Sequence, residues 1–214
     1  FLIFTLLFSA PSIAVPQIEG RFIELQNTYN KAEWTTISFS QVYDEPPAVF
    51  MLSTNQGDNP AIVKIRNVTR TGFEALPLEP SGEDGPHITM GAHYLAIAYG
   101  KHNFPDGSVV EVGKVELDGQ YIQASPSSDW PRNGEDRTRY FPIDFEHEFA
   151  ERPVFFHSIQ TVNNQVKVRG QTPPNTYLLP FLTIAAKWDF VNSDTSLIYP
   201  PATSEQTYFI AFEA

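Results

Sequence analysis

Apolar residues recur along the chain in short runs, some alternating with polar residues and some wholly apolar. The clearest are Arg21-Phe22-Ile23-Glu24-Leu25, Thr35-Thr36-Ile37-Ser38-Phe39, Ala48-Val49-Phe50-Met51-Leu52, Ile62-Val63-Lys64-Ile65 and His93-Tyr94-Leu95-Ala96-Ile97-Ala98. Successive side chains of an extended strand point to opposite faces, so runs of this length and period predict β-strands. Between them lie clusters of Gly, Pro, Asn and Asp at 55–60, 80–86 and 103–107, residues that preset turns or tolerate positive φ. The segment 64–74 predicts strand, turn and strand, with Gly72 opening the second strand. No stretch of helical length keeps apolar residues at i, i+3, i+4 and i+7 without a Pro or Gly interrupting it. The pattern predicts an all-β, antiparallel fold with little helix.

The pattern also repeats. Ile37-x-Phe39-x3-Tyr43-x3-Pro47-x-Val49-Phe50 returns as Ile143-x-Phe145-x3-Phe149-x3-Pro153-x-Phe155-Phe156, at an offset of 106 (145 − 39). Glu19-Gly20-Arg21 resembles Val112-Gly113-Lys114, and Tyr94-Leu95-Ala96-Ile97 resembles Phe209-Ile210-Ala211-Phe212 at an offset of 115 (211 − 96). Loop insertions produce such drift. The spacing predicts an internal duplication: two tandem antiparallel β-sandwich units at 17–105 and 108–214, joined by the turn Pro105-Asp106-Gly107. The second copy is the more divergent, its stretch at 183–199 lacking the hairpin motif.

Composition supports folding without staples. Hydrophobic residues make up 42% of the chain and aromatics 14%, enough for packed cores. No cysteine is present, which excludes disulfides, thiolate zinc sites and cysteine nucleophiles. The formal charge of -11 repels phosphate backbones and argues against nucleic acid as a partner. Residues 1–14 hold an apolar run, Phe1 to Phe8, shorter than the ~20 residues of a membrane-spanning helix, followed by small residues at Ser12 and Ala14. They read as a secretory leader truncated at its start, with the mature chain beginning near Val15. No later apolar stretch reaches the length of a membrane span.

Candidate chemistry is sparse. His87, His93 and His102 fall within sixteen residues, but no His-x-His pair with a neighbouring carboxylate accompanies them, and strand or loop histidines are the commoner case. Glu111 with Glu116, or Glu146 with Glu148, would offer the paired carboxylates of glycoside cleavage. The latter two alternate with Phe145, His147 and Phe149, which predicts the solvated face of a strand. No nucleophile elbow, phosphate-cradling loop or dinucleotide fingerprint occurs. Catalytic residues are therefore expected to be none. Asp58, Asp129 and Asp136 stand in acidic loops that would give calcium hard oxygen ligands, although such loops are more often merely solvated. Apart from that calcium, no cofactor is expected. For binding, aromatic residues in loops beside polar neighbours are the useful feature, and Tyr99, His102, Asp106, Trp130 and Arg132 are the candidates.

Pro47-Ala48-Val49-Phe50, the run from Arg66 through Gly72-Phe73-Glu74, Glu79-Pro80, His87, Tyr94-Leu95-Ala96-Ile97, Gln160-Thr161 with Asn163-Asn164, and Pro180-Phe181-Leu182-Thr183-Ile184-Ala185 occur in an order that resembles the N-terminal region of the MshQ family of MSHA-pilus biogenesis proteins. The stretch 187–201 departs from it. Each half is more distantly similar to H-type lectin modules. The first resemblance implies an exported, non-catalytic protein of a Gram-negative bacterium, acting in the periplasm, at the cell surface or outside the cell, with pilus or cell-surface components as partners. The second implies glycans as partners and a secreted carbohydrate-binding module as the alternative. A polysaccharide lyase or glycosidase is the enzyme alternative.

Overall fold

The structure, a computed structural model, describes residues 16–28, 33–54, 56–57, 61–79, 87–118, 122–123, 141–164, 168–171, 182–188 and 203–213. The expected leader, residues 1–14, lies outside them. Among the described residues are fourteen strands and no α-helix: β1 Ile18–Leu25, β2 Thr35–Ser38, β3 Ala48–Ser53, β4 Ile62–Arg66, β5 Gly72–Leu78, β6 Met90–Ile97, β7 Gly100–Asn103, β8 Val109–Leu117, β9 Ile122–Gln123, β10 Phe141–Ile143, β11 Val154–Ile159, β12 Val168–Gln171, β13 Leu182–Trp188 and β14 Glu205–Phe212. The fold is all-β. They pair into four sheets of order β1-β6-β3, β2-β5-β4, β11-β14-β8-β7 and β10-β13-β12, the last with β9 beside β13. Every pairing is antiparallel except β9 with β13. The sheets are thus antiparallel as expected apart from that two-residue parallel contact, and the long connection between its strands is what a parallel crossover requires.

The first two sheets face each other and bury one core. Leu25, Val49, Met90, Ala92, Tyr94 and Ala96 from β1, β3 and β6 meet Ile37, Ile65, Phe73 and Ala75 from β2, β4 and β5. Alternation decides this: on β6 the even-numbered residues turn inward, and the odd-numbered ones form the sheet's other face. Phe39 and Tyr43, in the connection after β2, close the core edge-on, with ring centroids 5.1 Å apart. Tyr43 is fully buried, its hydroxyl donating to the Ala96 carbonyl at 3.1 Å, and burial raises its pKa. Gly72 begins β5 because of space. A Cβ there would lie 2.3 Å from the Ile37 carbonyl oxygen.

The second pair of sheets packs Leu117, Phe209, Ala211 and Phe155 against Ile143 and Phe141, with Phe145 and Phe149 at the edge. Its order repeats the first: β8-β14-β11 matches β1-β6-β3, and β10-β13-β12 matches β2-β5-β4. Register repeats as well. Ala48 pairs with Ile97, and Val154 with Phe212, offsets of 106 (154 − 48) and 115 (212 − 97). Leu25 pairs with Met90, and Leu117 with Glu205, which gives β8 an offset of 92 (117 − 25) from β1. The glycine-based match of Gly20 with Gly113 is therefore one residue out. In a strand one residue is a change of face, so the position matching Gly20 is Val112, and Glu111 matches Glu19.

The two sandwiches meet through the outer faces of their first sheets. Ala48, Phe50, Leu95 and Ile97 pack on Val110, Val112, Tyr208, Ile210 and Phe212. Gln160 adds a buried bond across the contact, donating from Nε2 to the Val49 carbonyl at 3.1 Å. Residues 100–103, grouped with the first copy by sequence, form β7 and extend the second sandwich's sheet by pairing with β8. The β7–β8 hairpin turns at Gly107, whose φ of 89° favours glycine.

Candidate functional site

A surface cleft of about 100 Å³ opens beside β8, lined by Tyr99, Glu111, Gly113, Lys114, Asp144, Glu146 and Phe209 among others. Its inner wall is Glu111, which is buried and accepts the backbone N–H groups of Glu146 and His147 at 3.0 and 2.9 Å. Its floor exists because position 113 is glycine. The Phe209 ring lies so close that a Cβ on residue 113 would sit 2.1 Å from Cζ. Lys114 stands at the rim with its ammonium 5.4 Å from the centre of the Tyr99 ring.

The matching place in the first sandwich is built from other residues. Glu19 accepts the Ser40 backbone N–H at 2.9 Å and the hydroxyls of Ser40 and Tyr94. Arg21 leans over this group and donates to the Ser38 carbonyl at 3.4 Å. Partial burial alone would raise the Glu19 carboxyl, but the Ser40 and Tyr94 bonds, helped by Arg21, hold it below the usual range. Burial, together with the bond to Glu19, pushes Tyr94 up to about 12. In the offsets above, Arg21 becomes Gly113, Ser38 becomes Asp144, Ser40 becomes Glu146 and Tyr94 becomes Phe209. Where the first sandwich has a guanidinium, the second has the cleft.

Of the binding candidates, Tyr99 lies on the cleft and is 44% exposed. His102 is tied to the Ala98 carbonyl through Nε2 at 2.8 Å, and Asp106 accepts the Ser108 amide and hydroxyl at 3.0 and 2.7 Å within the β7–β8 turn. Trp130 and Arg132 lie outside the described residues, as do Asp58, Asp129 and Asp136. Glu111 and Glu116 are five apart on β8 and so face opposite sides, and Glu146 and Glu148 lie in the connection between β10 and β11, not on the strand that their alternation predicted. The histidines are likewise apart: His87 is buried before β6 begins, and His93 is on the outer face, 5.1 Å edge-on from Phe22. Phe22, His93 and Leu52 form an exposed row across β1, β6 and β3.

Sequence reasoning missed a polar end to the second core. Glu205, Thr207 and His157 occupy the places of Met90, Ala92 and Met51. Glu205, 2% exposed, gathers the amides of Asn163 and Asn164, the Asn164 side chain and the Thr161 hydroxyl. Burial lowers His157 to about 4, and its Nδ1 has no partner. The signal was available, since an offset of 115 sets Glu205 on Met90, but the aligned motif began only at Tyr94 and Phe209, after both.

In comparisons with known proteins, no family model, no curated protein and no solved structure matches the chain.

Proposed function

We propose that the chain is an exported, non-catalytic module of adhesion or assembly type, working at a Gram-negative cell surface among pilus or envelope components, and that its two sandwiches arose by internal duplication. The repeated strand order and register support the duplication. The observation that carries the non-catalytic reading is the employment of the carboxylates. Glu19, Glu111 and Glu205 each hold backbone amides of a connection in place. A carboxylate whose lone pairs are committed to backbone donors is not placed to exchange a proton with a substrate. The export and pilus setting rest on the leader-like residues 1–14 and on the resemblance of motifs.

The exposed row of Phe22, His93 and Leu52, a flat platform with a polar centre, favours the carbohydrate-binding alternative over the polysaccharide-active one. The test is a pair of measurements on the purified chain: a glycan array, and binding to isolated Gram-negative envelopes and pili. Saturable envelope binding with a silent array is the expected result. Saturable sugar binding transfers the assignment to the lectin reading, polysaccharide cleavage to the enzyme reading, and absence of envelope binding removes the proposal.

A further inference from the structure

We infer that the cleft beside β8 is a receptor for a single guanidinium group, carried by an arginine of an extended polypeptide partner. This rests on the binding-module reading and names the chemistry of one partner.

The first sandwich supplies the precedent. There Arg21, exposed at the surface, lowers the Glu19 carboxyl by its charge and donates to the Ser38 carbonyl, so a guanidinium already lies against this location. In the second sandwich that arginine is Gly113, and the residues that surrounded it have become more acidic, Ser38 giving way to Asp144 and Ser40 to Glu146. The carboxylates of Glu111, Asp144 and Glu146 face one ammonium, Lys114, at the rim. The Asp144 and Glu146 side chains make no hydrogen bond among the described residues, and both residues are exposed, so their oxygens are available to a planar donor. Glu111 remains occupied with backbone amides and supplies charge from behind.

Size and surroundings narrow the occupant. Pockets for whole small molecules run to roughly 300–1,000 Å³. About 100 Å³ admits one functional group, not a sugar chain. The Phe209 and Tyr99 rings suit a weakly hydrated, stackable guanidinium better than a compact ammonium. The backbone that would carry it has a place to lie. β7 pairs with β8 only as far as Val112, so among the described residues the edge of β8 from Gly113 to Leu117 has no strand beside it. An extended segment laid along this edge, collinear with β7, pairs by main-chain bonds and sets alternate side chains toward the cleft. A formal charge of -11 on the chain attracts such a cationic segment.

The experiment titrates the full chain with acetyl-Thr-Val-Arg-Val-Thr-amide, and with the same peptide carrying citrulline for arginine, following backbone amides by NMR. Citrulline keeps the shape and removes the charge. The expected result is saturable shifts centred on Gly113, Lys114, Val115 and Glu146, with the citrulline peptide binding about tenfold or more weakly. The double variant Asp144→Asn, Glu146→Gln should weaken the arginine peptide about tenfold while its urea midpoint stays at that of the parent chain. Equal binding of the two peptides, shifts centred elsewhere, or no binding overturns the inference. If the arginine peptide fails while the chain still binds envelopes, the receptor cleft falls and the module reading stands. If envelope binding also fails, both fall.

Discussion

Glu19 and Glu111 stand at matching places in the two sandwiches, and each accepts the backbone N–H of a matching residue, Ser40 at 2.9 Å and Glu146 at 3.0 Å. Each thereby ties the connection that follows β2 or β10 to β1 or β8 of the facing sheet. They differ in their second oxygen. Glu19 receives the Tyr94 hydroxyl, whereas the matching Phe209 has none, and Glu111 takes the His147 amide instead. Hydrogen bonds to a charged group contribute about 1.5–3 kcal/mol each. Glu111→Ala, which orphans two backbone donors, should cost about 2–4 kcal/mol in urea unfolding. Glu19→Ala, at a more open site that water can reach, should cost about 1 kcal/mol. A negligible loss at Glu111 would show that the connection holds itself.

His157 makes stability depend on pH. Its folded value of about 4 lies below the ordinary 6.5, because burial disfavours the imidazolium. The unfolded chain therefore takes up a proton that the folded chain refuses, and stability falls as pH drops below 6.5, levelling off below about 4. His157→Met, which installs the residue of the matching position 51, should remove this part of the slope between pH 6.5 and 4. Urea midpoints at pH 7, 5.5 and 4 measure it, and an unchanged slope in the variant would contradict it.

Thr207 is fully buried with an unpartnered hydroxyl, at the place that Ala92 occupies in the first core. The costs of reciprocal substitution should be unequal. Thr207→Ala is expected to change stability by less than about 1 kcal/mol, the lost methyl offset by a removed orphan hydroxyl, while Ala92→Thr costs about 1–3 kcal/mol. Thermal unfolding of the two variants decides this, and equal losses would be the wrong result for it.

Gly113 is required by the ring above it. Gly113→Ala drives a Cβ into Phe209 and should cost about 1–3 kcal/mol. Trimming the ring in the double variant Gly113→Ala, Phe209→Leu should recover part of the loss, giving a non-additive cycle. Additive losses would mean that the backbone, not the ring, sets the demand for glycine.

Strand positions were legible because alternation reports burial directly: Thr35 to Ser38 and Ala48 to Leu52 lie in strands as their patterns predicted. The repeat was legible for β2, β3 and β6, whose aromatic and proline spacings survive. At β8 it misled by one residue, because glycines are shared for different reasons. Gly20 would meet only the Tyr94 carbonyl oxygen, at 3.4 Å, whereas Gly113 makes room for a ring. The connection at 144–149 mimicked a strand because its phenylalanines reach the core from a loop. The cleft was barely legible, since it is defined by a side chain present at Arg21 and missing at its match, and no single stretch of sequence displays an absence. Tyr99 alone of the binding candidates pointed toward it.

The contact between the sandwiches is as apolar as a core, with Val112 and Ile210 almost wholly buried. Ile210→Asp should set a charge into it and split one unfolding transition into two, detectable as a biphasic urea curve. A single, merely shifted transition would mean that the units unfold together without this contact.

Only Ala98 and Tyr99 separate β6 of the first sandwich from β7 of the second, so the join is a short β6–β7 link and not the turn at Pro105 to Gly107, which lies within the second sandwich. Two separate copies of such a unit would meet with a mass-action dependence, apart when scarce and together when abundant. A short tether replaces that dependence with an effective concentration on the order of millimolar, fixed by geometry. The join between the halves is thus indifferent to dilution, and a single molecule far from any other carries the same closed pair as one in a concentrated solution.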